Sequence, residues 1–150
     1  TSIGGILIDG SDQPEAFGAV ISASTVESWA SKVGQTQVIG QAEIFPVLVA
    51  KLTWAKKLAG RKVIYFIDND SARLALVKAY SPVLASMHII IQSVLWDGAH
   101  DSRSWFARVP TGSNIADGPS RMSSADVIAA GARLVPPVFP EDSSYSECLF

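Results

Sequence analysis

The sequence predicts an α/β fold: a five-stranded mixed sheet, with strands 1, 2 and 3 in an antiparallel meander and strands 4 and 5 parallel, flanked by helices. Three observations carry this. Residues 63–67 (Val-Ile-Tyr-Phe-Ile) form an unbroken β-branched and aromatic run, the pattern of a strand buried on both faces. Residues 3–8 and 16–22 are apolar strand segments joined by a connection so short that they must pair as an antiparallel hairpin. Beyond residue 41 the hydrophobic period shifts to about 3.6 in segments that alternate with strands, as in sheets whose parallel neighbours are joined through helices.

Taken in order, Ile3-Gly4-Gly5-Ile6-Leu7-Ile8 ends on Asp9-Gly10, and the turn Ser11-Asp12-Gln13-Pro14 returns the chain into the second strand. Trp29 and residues 36–39 are assigned to a third strand that continues the meander. Over residues 41–59, Ile44, Val47, Leu48, Leu52, Ala55 and Leu58 share one helical stripe, while Lys51, Lys56 and Lys57 fall largely outside it. Gly60 stops this helix, and Pro46 is tolerated if it lies in the first turn. Glu43 then also lies in the first turn, where a carboxylate suits the helix dipole; taken alone, that structural role is the simpler account of it.

The run at 63–67 stops at Asp68, at the crevice where open α/β sheets place their ligands. Asp70 is assigned as the cap of a helix over 71–79. Ser81-Pro82 opens a long helix to about residue 96, ended by Asp97-Gly98. Residues 104–110 form a fifth strand, and 111–121 are a turn entering a final helix over 124–134. Residues 1–135 therefore make one domain, and the Pro-, Ser- and acid-rich residues 136–150 a tail or linker.

At 150 residues and 48% hydrophobic, the chain is long enough to bury a core of its own. A net charge of −2 excludes nucleic-acid binding through an overall basic field, so any such contact must come from a local patch or a tethered neighbour. The single cysteine, Cys148, allows no internal disulfide and fits a reducing, intracellular compartment. No apolar segment is long enough to span a bilayer, so no membrane partner is expected. A first residue of Thr1 points to a piece of a larger protein.

In a mixed sheet of this order the first strand lies beside the fourth, so Asp9 and Asp68 end side by side. Glu43 arrives from the helix crossing that edge and Asp117 from the turn after the fifth strand. Four carboxylates from four distant segments can thus share one crevice. Their repulsion is unfavourable unless cations fill the site, and hard oxygen ligands select two Mg²⁺ or Mn²⁺ ions, the arrangement that cleaves phosphodiesters. Asp12, Glu15, Glu27, Asp97 and Asp101 fall in predicted loops and are taken as solvated surface.

Asp9-Gly-Ser, Gly18-Ala-Val, Gln41-Ala-Glu43, Phe66-Ile-Asp68-Asn69-x-Ser71-Ala72 and Arg108-Val-Pro110-x3-Asn114-x2-Ala116-Asp117-x2-Ser120-Arg121 occur in this order between residues 3 and 121. In this the chain resembles the ribonuclease H domains of retroelement reverse transcriptases, of the LTR or tyrosine-recombinase type, within the ribonuclease H-like superfamily. The resemblance implies a ribonuclease H-like fold, Asp9, Glu43, Asp68 and Asp117 as metal-binding catalytic acids, and cleavage of the RNA strand of RNA–DNA hybrids beside a tethered polymerase domain. Gly10, Ser11, Gln41, Asn69, Ser71, Asn114 and Arg121 are then candidates for hybrid contacts, including contacts to the 2′-hydroxyl that DNA lacks.

Two departures from the cellular members stand out. Tyr80-Ser81-Pro82 leaves no room for their basic helix, and the loop at 111–115 has no histidine. His100 precedes the fifth strand, and His88 falls among apolar residues as a core or flank position. Lys51, Lys56, Lys57, Arg61 and Lys62, five of twelve basic residues, form either a phosphate track or a solvated helix face. Two other functions compete: a catalytically inactive binding or scaffold module of a polymerase, and a DNA nuclease of the same fold.

Overall fold

A computed structural model describes residues 1–10, 12–33 and 39–140. Strands β1 (Ser2–Leu7) and β2 (Glu15–Val20) pair antiparallel from Ser2↔Val20 to Leu7↔Glu15, as the hairpin pattern requires. The expected third strand is not there. Trp29 lies in helix α1 (Ala23–Val33), and residues 36–38 lie outside the described residues. Ser22 accepts a hydrogen bond from the Thr25 amide at 3.2 Å, an N-cap that turns the chain into a helix.

Helix α2 (Ile39–Thr53) starts before the expected point, and Trp54 separates it from the short α3 (Ala55–Leu58). Pro46 therefore lies inside the helix, and Glu43 lies beyond its first turn, where the dipole has faded. Almost every side chain from Ile44 to Lys51 is buried, because α2 is covered on one side by the strands and on the other by the remaining helices. The single-stripe expectation fails for that reason.

Lys51 shows the consequence most sharply. It is 1% exposed, with Nζ 2.8 Å from Asp97 Oδ1, and it donates to Ser93 Oγ at 2.8 Å and the Ser93 carbonyl at 3.2 Å. Asp97, expected in a solvated loop, is inside a helix and also accepts from Ser104 Oγ at 2.6 Å. Glu15 is likewise buried rather than solvated. It accepts from Trp54 Nε1 at 3.1 Å, pairs with Lys57 at 3.2 Å and binds Arg133, whose hydrogen bond holds its carboxyl below the usual range against the opposing effect of burial.

Strand β3 (Lys62–Ile67) carries the apolar run and is followed by helix α4 (Asp70–Lys78), helix α5 (Leu84–His100) and strand β4 (Arg103–Arg108). β3 and β4 are parallel and in register from Lys62↔Arg103 to Ile67↔Arg108. The cap of α4 is Asn69, whose Oδ1 accepts from the Ala72 amide at 2.9 Å. Asp70, the expected cap, is instead the first helical residue and pairs with Arg73.

After a 3₁₀ turn (Thr111–Ser113) come α6 (Asp117–Ser120), α7 (Ala125–Ala129) and a two-residue strand β5 (Arg133–Leu134), so the expected final helix over 124–134 is cut to one turn and a half by Gly131. α6 presses on the hairpin at Gly4 and Gly18. A Cβ at either would collide with backbone of Pro119 or Ser120, so only glycine fits there.

The protein is α/β, but the strands form two separate sheets rather than one of five. β1, β2 and β5 make a mixed three-stranded sheet in that order, and β3–β4 make a parallel pair. The main core lies between these strands and α1, α2 and α5, built on Ile3, Phe17, Trp29, Phe45, Ile67 and Ile89. β3 is not buried on both faces, since Ile64 and Phe66 are exposed. His88 is fully buried in the core. Part of the expected tail is docked: Phe139 stacks on Phe45 with centroids 6.2 Å apart, and the Val138 amide donates to Thr53 Oγ1 at 2.9 Å. Residues 141–150, including Cys148, lie outside the described residues. No described helix is long and apolar enough to cross a membrane.

Candidate active-site groove

Because β1 and β3 do not pair, a groove of about 1160 Å³ runs between them. Its walls are the free edges of the two strands, its floor includes α2, and its far end is closed by the turn leading into α6. Each candidate acid reaches it from a different element. Asp9 follows β1, Asp68 ends β3, Glu43 projects from α2, and Asp117 opens α6. All four line the groove, although the expected β1–β3 pairing that would place Asp9 directly beside Asp68 is absent.

The four are not equivalent electrostatically. Burial, and then the negative charge of Asp68, push the Glu43 carboxyl above the ordinary glutamate range. Asp9 is neutralised by Arg61, Nη1 to Oδ2 2.7 Å, and Asp9 in turn holds the Arg61 guanidinium above its ordinary value. Asp117 pairs with Arg121 across one helical turn at 3.2 Å. The groove therefore holds one repelling carboxylate pair and two carboxylates with arginine partners.

This donor set fits a hard divalent cation in its chemistry: it is all carboxylate oxygen, and the Glu43–Asp68 pair gains from any cation placed against it. Among the described residues, no three His, Cys, Asp or Glu side chains stand close enough together to hold an ion. Asp9 and Asp117 would have to leave their arginines to join the other two.

The remaining expected contact residues divide. Asn69, Asn114, Arg121 and Lys57 line the groove. Asn69 and Asn114 both use Oδ1 locally, Asn114 on the Ala116 amide at 3.0 Å, which leaves the Nδ2 amide as the group each offers to a ligand. Lys57 is tied to Glu15 and so is as much a structural residue as a phosphate contact. Gln41 is buried and does not line the groove, because the helix turns it into the core beside the Glu43 face. Ser71, Lys56 and Gly10 are exposed outside the groove, and Ser11 lies outside the described residues. His100 does not line the groove; its ring stacks on Trp96 with centroids 4.2 Å apart at the end of α5.

Sequence reasoning missed Arg61 as the partner of Asp9, since a separation of 52 positions leaves no local signal. The Arg121 pairing did carry one, since Asp and Arg four apart on a helix are neighbours.

The Glu43 environment makes a pH prediction. The folded state holds this proton more tightly than the unfolded chain. The stabilising contribution is therefore full below the ordinary glutamate pKa and is lost as pH rises through the raised value. In metal-free buffer Glu43→Gln should melt higher than wild type at neutral pH and flatten that part of the pH dependence. Parallel melting curves for the two proteins from mildly acidic to neutral pH would remove Glu43 from the repelling pair.

No family model matches the chain, and no curated protein and no solved structure shows significant similarity to it.

Proposed function

We propose that this chain is a metal-dependent endonuclease of the ribonuclease H type, which hydrolyses the RNA strand of RNA–DNA hybrids and works beside a polymerase domain. The observation that carries this reading is the convergence of Asp9, Glu43, Asp68 and Asp117, from four distant segments, on a single groove.

Glu43 and Asp68 would hold Mg²⁺ or Mn²⁺, and Asp9 and Asp117 would complete the set if they gave up their arginine partners. Bound divalent ions supply Lewis-acid chemistry, a more acidic water and a stabilised leaving oxygen. The chain's own groups do the rest. Arg61 and Arg121, on release, stand at the groove as cations for backbone phosphates, and Lys62 lines the same wall. Asn69 and Asn114 line the groove, and their Nδ2 groups would donate to a 2′-hydroxyl.

A labelled RNA–DNA hybrid should be cut in Mg²⁺ or Mn²⁺, duplex DNA should not, and excess chelator should stop the reaction. Cleavage undiminished in chelator would end the metal reading. The second reading, a polymerase scaffold module without catalysis, is favoured by one observation: two of the four acids are neutralised by arginines. Hybrid bound but never cut with either ion would establish it.

A further inference from the structure

The outer faces of the two sheets are finished differently. Over β1–β2, α6 and α7 pack on Ala16, Gly18 and Ile6. Over β3–β4, no described element covers the outer face, and Ile64, Phe66 and Trp105 are 58%, 63% and 70% exposed. Strand alternation places Lys62, Ile64 and Phe66 on this face, and the parallel register sets Arg103, Trp105 and Ala107 beside them. Two aromatic rings thus lie on adjacent strands of an open sheet, one diagonal step apart. Lys62 and Arg103, level with each other at the strand starts, are both exposed and enter no ion pair among the described residues.

An exposed apolar sheet face attracts several kinds of partner, and charge decides between them here. Among the paired residues of β3 and β4 none is acidic; Asp68 follows at the end of β3, and Lys62, Ile64 and Phe66 also border the groove along the edge of that strand. The body of the face is two rings and two unpaired cations, complementary to a chain that alternates flat bases with phosphates. Bases stacked inside a duplex cannot lie on such rings; unpaired bases can. We propose that the outer face of β3–β4 is a stacking platform for single-stranded nucleic acid, Trp105 and Phe66 taking base faces and Lys62 and Arg103 taking phosphates. With a rise of about 3.3 Å per residue, Phe66 lies about 7 Å and the Trp105 level about 13 Å along the strand from Asp68. A strand on the platform therefore leads directly into the groove. The platform requires neither metal nor cleavage, so it stands or falls separately from the nuclease reading.

The test uses the whole chain in chelator at low salt, titrated with fluorescein-labelled oligo(dT) and oligo(rU). Trp29, Trp54 and Trp96 are buried, so quenching of tryptophan emission on binding reports on Trp105. Trp105→Ala and Phe66→Ala should each weaken binding by roughly 5- to 150-fold, with Trp105→Phe retaining most of it. Lys62→Ala and Arg103→Ala should each reduce the slope of log affinity against log salt by about 0.7. Unchanged melting curves would show that these exposed positions are not needed for folding. Binding that Trp105→Ala leaves intact, or no binding at all, overturns the proposal. So does sedimentation showing self-association that Trp105→Ala abolishes without any oligonucleotide bound, which would make the face an interface between copies. Loss of hybrid cleavage with single-strand binding intact would count against the nuclease alone.

Discussion

Asp68→Asn should abolish hybrid cleavage in Mn²⁺ and yet leave the metal-free protein more stable than wild type. The substitution keeps the shape and removes one charge. Asp68 ends β3 in the groove, and its charge is part of what raises the Glu43 carboxyl, so removing it relieves repulsion in the folded state only. Losing an outer partner of a metal ligand typically costs 10–100-fold, so losing a ligand itself should cost more than about 100-fold in rate. The neighbouring residues behave oppositely. Asn69→Ala removes the α4 cap and should cost roughly 0.5–2 kcal/mol. Asp70→Ala removes only an exposed pair with Arg73, worth a few tenths of a kcal/mol, and should keep activity. Thermal melts in chelator beside cleavage assays in Mn²⁺ decide the matter. An Asp68→Asn protein that still cuts, or an Asp70→Ala protein that does not, would show that the wrong aspartate has been assigned.

The same region shows what a sequence can and cannot reveal. Asp68 was legible because a buried strand that stops on a carboxylate is a local pattern, and Asp9 was legible for the same reason. Asn69 as cap was equally local, but Asp70 competed for the position and the helix starts one residue earlier than its apolar period implied. α1 was missed although Ser22 precedes Val26, Trp29 and Ala30 at helical spacing; the aromatic and β-branched content drew that segment into the meander. The split into two sheets was beyond reach, since it depends on the distance between β1 and β3 and on no residue pattern in either. The exposure of Ile64 and Phe66 on the outer face of β3 depends on what the rest of the fold packs there. A burial pattern read within the strand alone could not show that.

Lys51 and Asp97 are the clearest case of tertiary context overriding pattern, and they give the largest stability prediction. Lys51 Nζ has three acceptors, Asp97 Oδ1, Ser93 Oγ and the Ser93 carbonyl, and lies 5.4 Å from the Tyr65 ring centroid. Burial pushes its pKa down, and Asp97 opposes that shift. Asp97→Ala leaves a buried cation without its counter-charge and should cost about 3–5 kcal/mol. Lys51→Met in the same chain should restore most of the loss, because two apolar groups need no pairing. The pH dependence carries a second sign. In Asp97→Ala the folded Lys51 pKa lies further below the unfolded value, so the unfolded state binds more protons between the two. Stability should then rise with pH through that window as Lys51 becomes neutral. Urea titrations at neutral and mildly alkaline pH, on wild type, Asp97→Ala and the double variant, measure both effects. An Asp97→Ala cost under about 1 kcal/mol with no alkaline recovery would mean that Lys51 reaches water in the folded protein and that the pair is a surface ion pair after all.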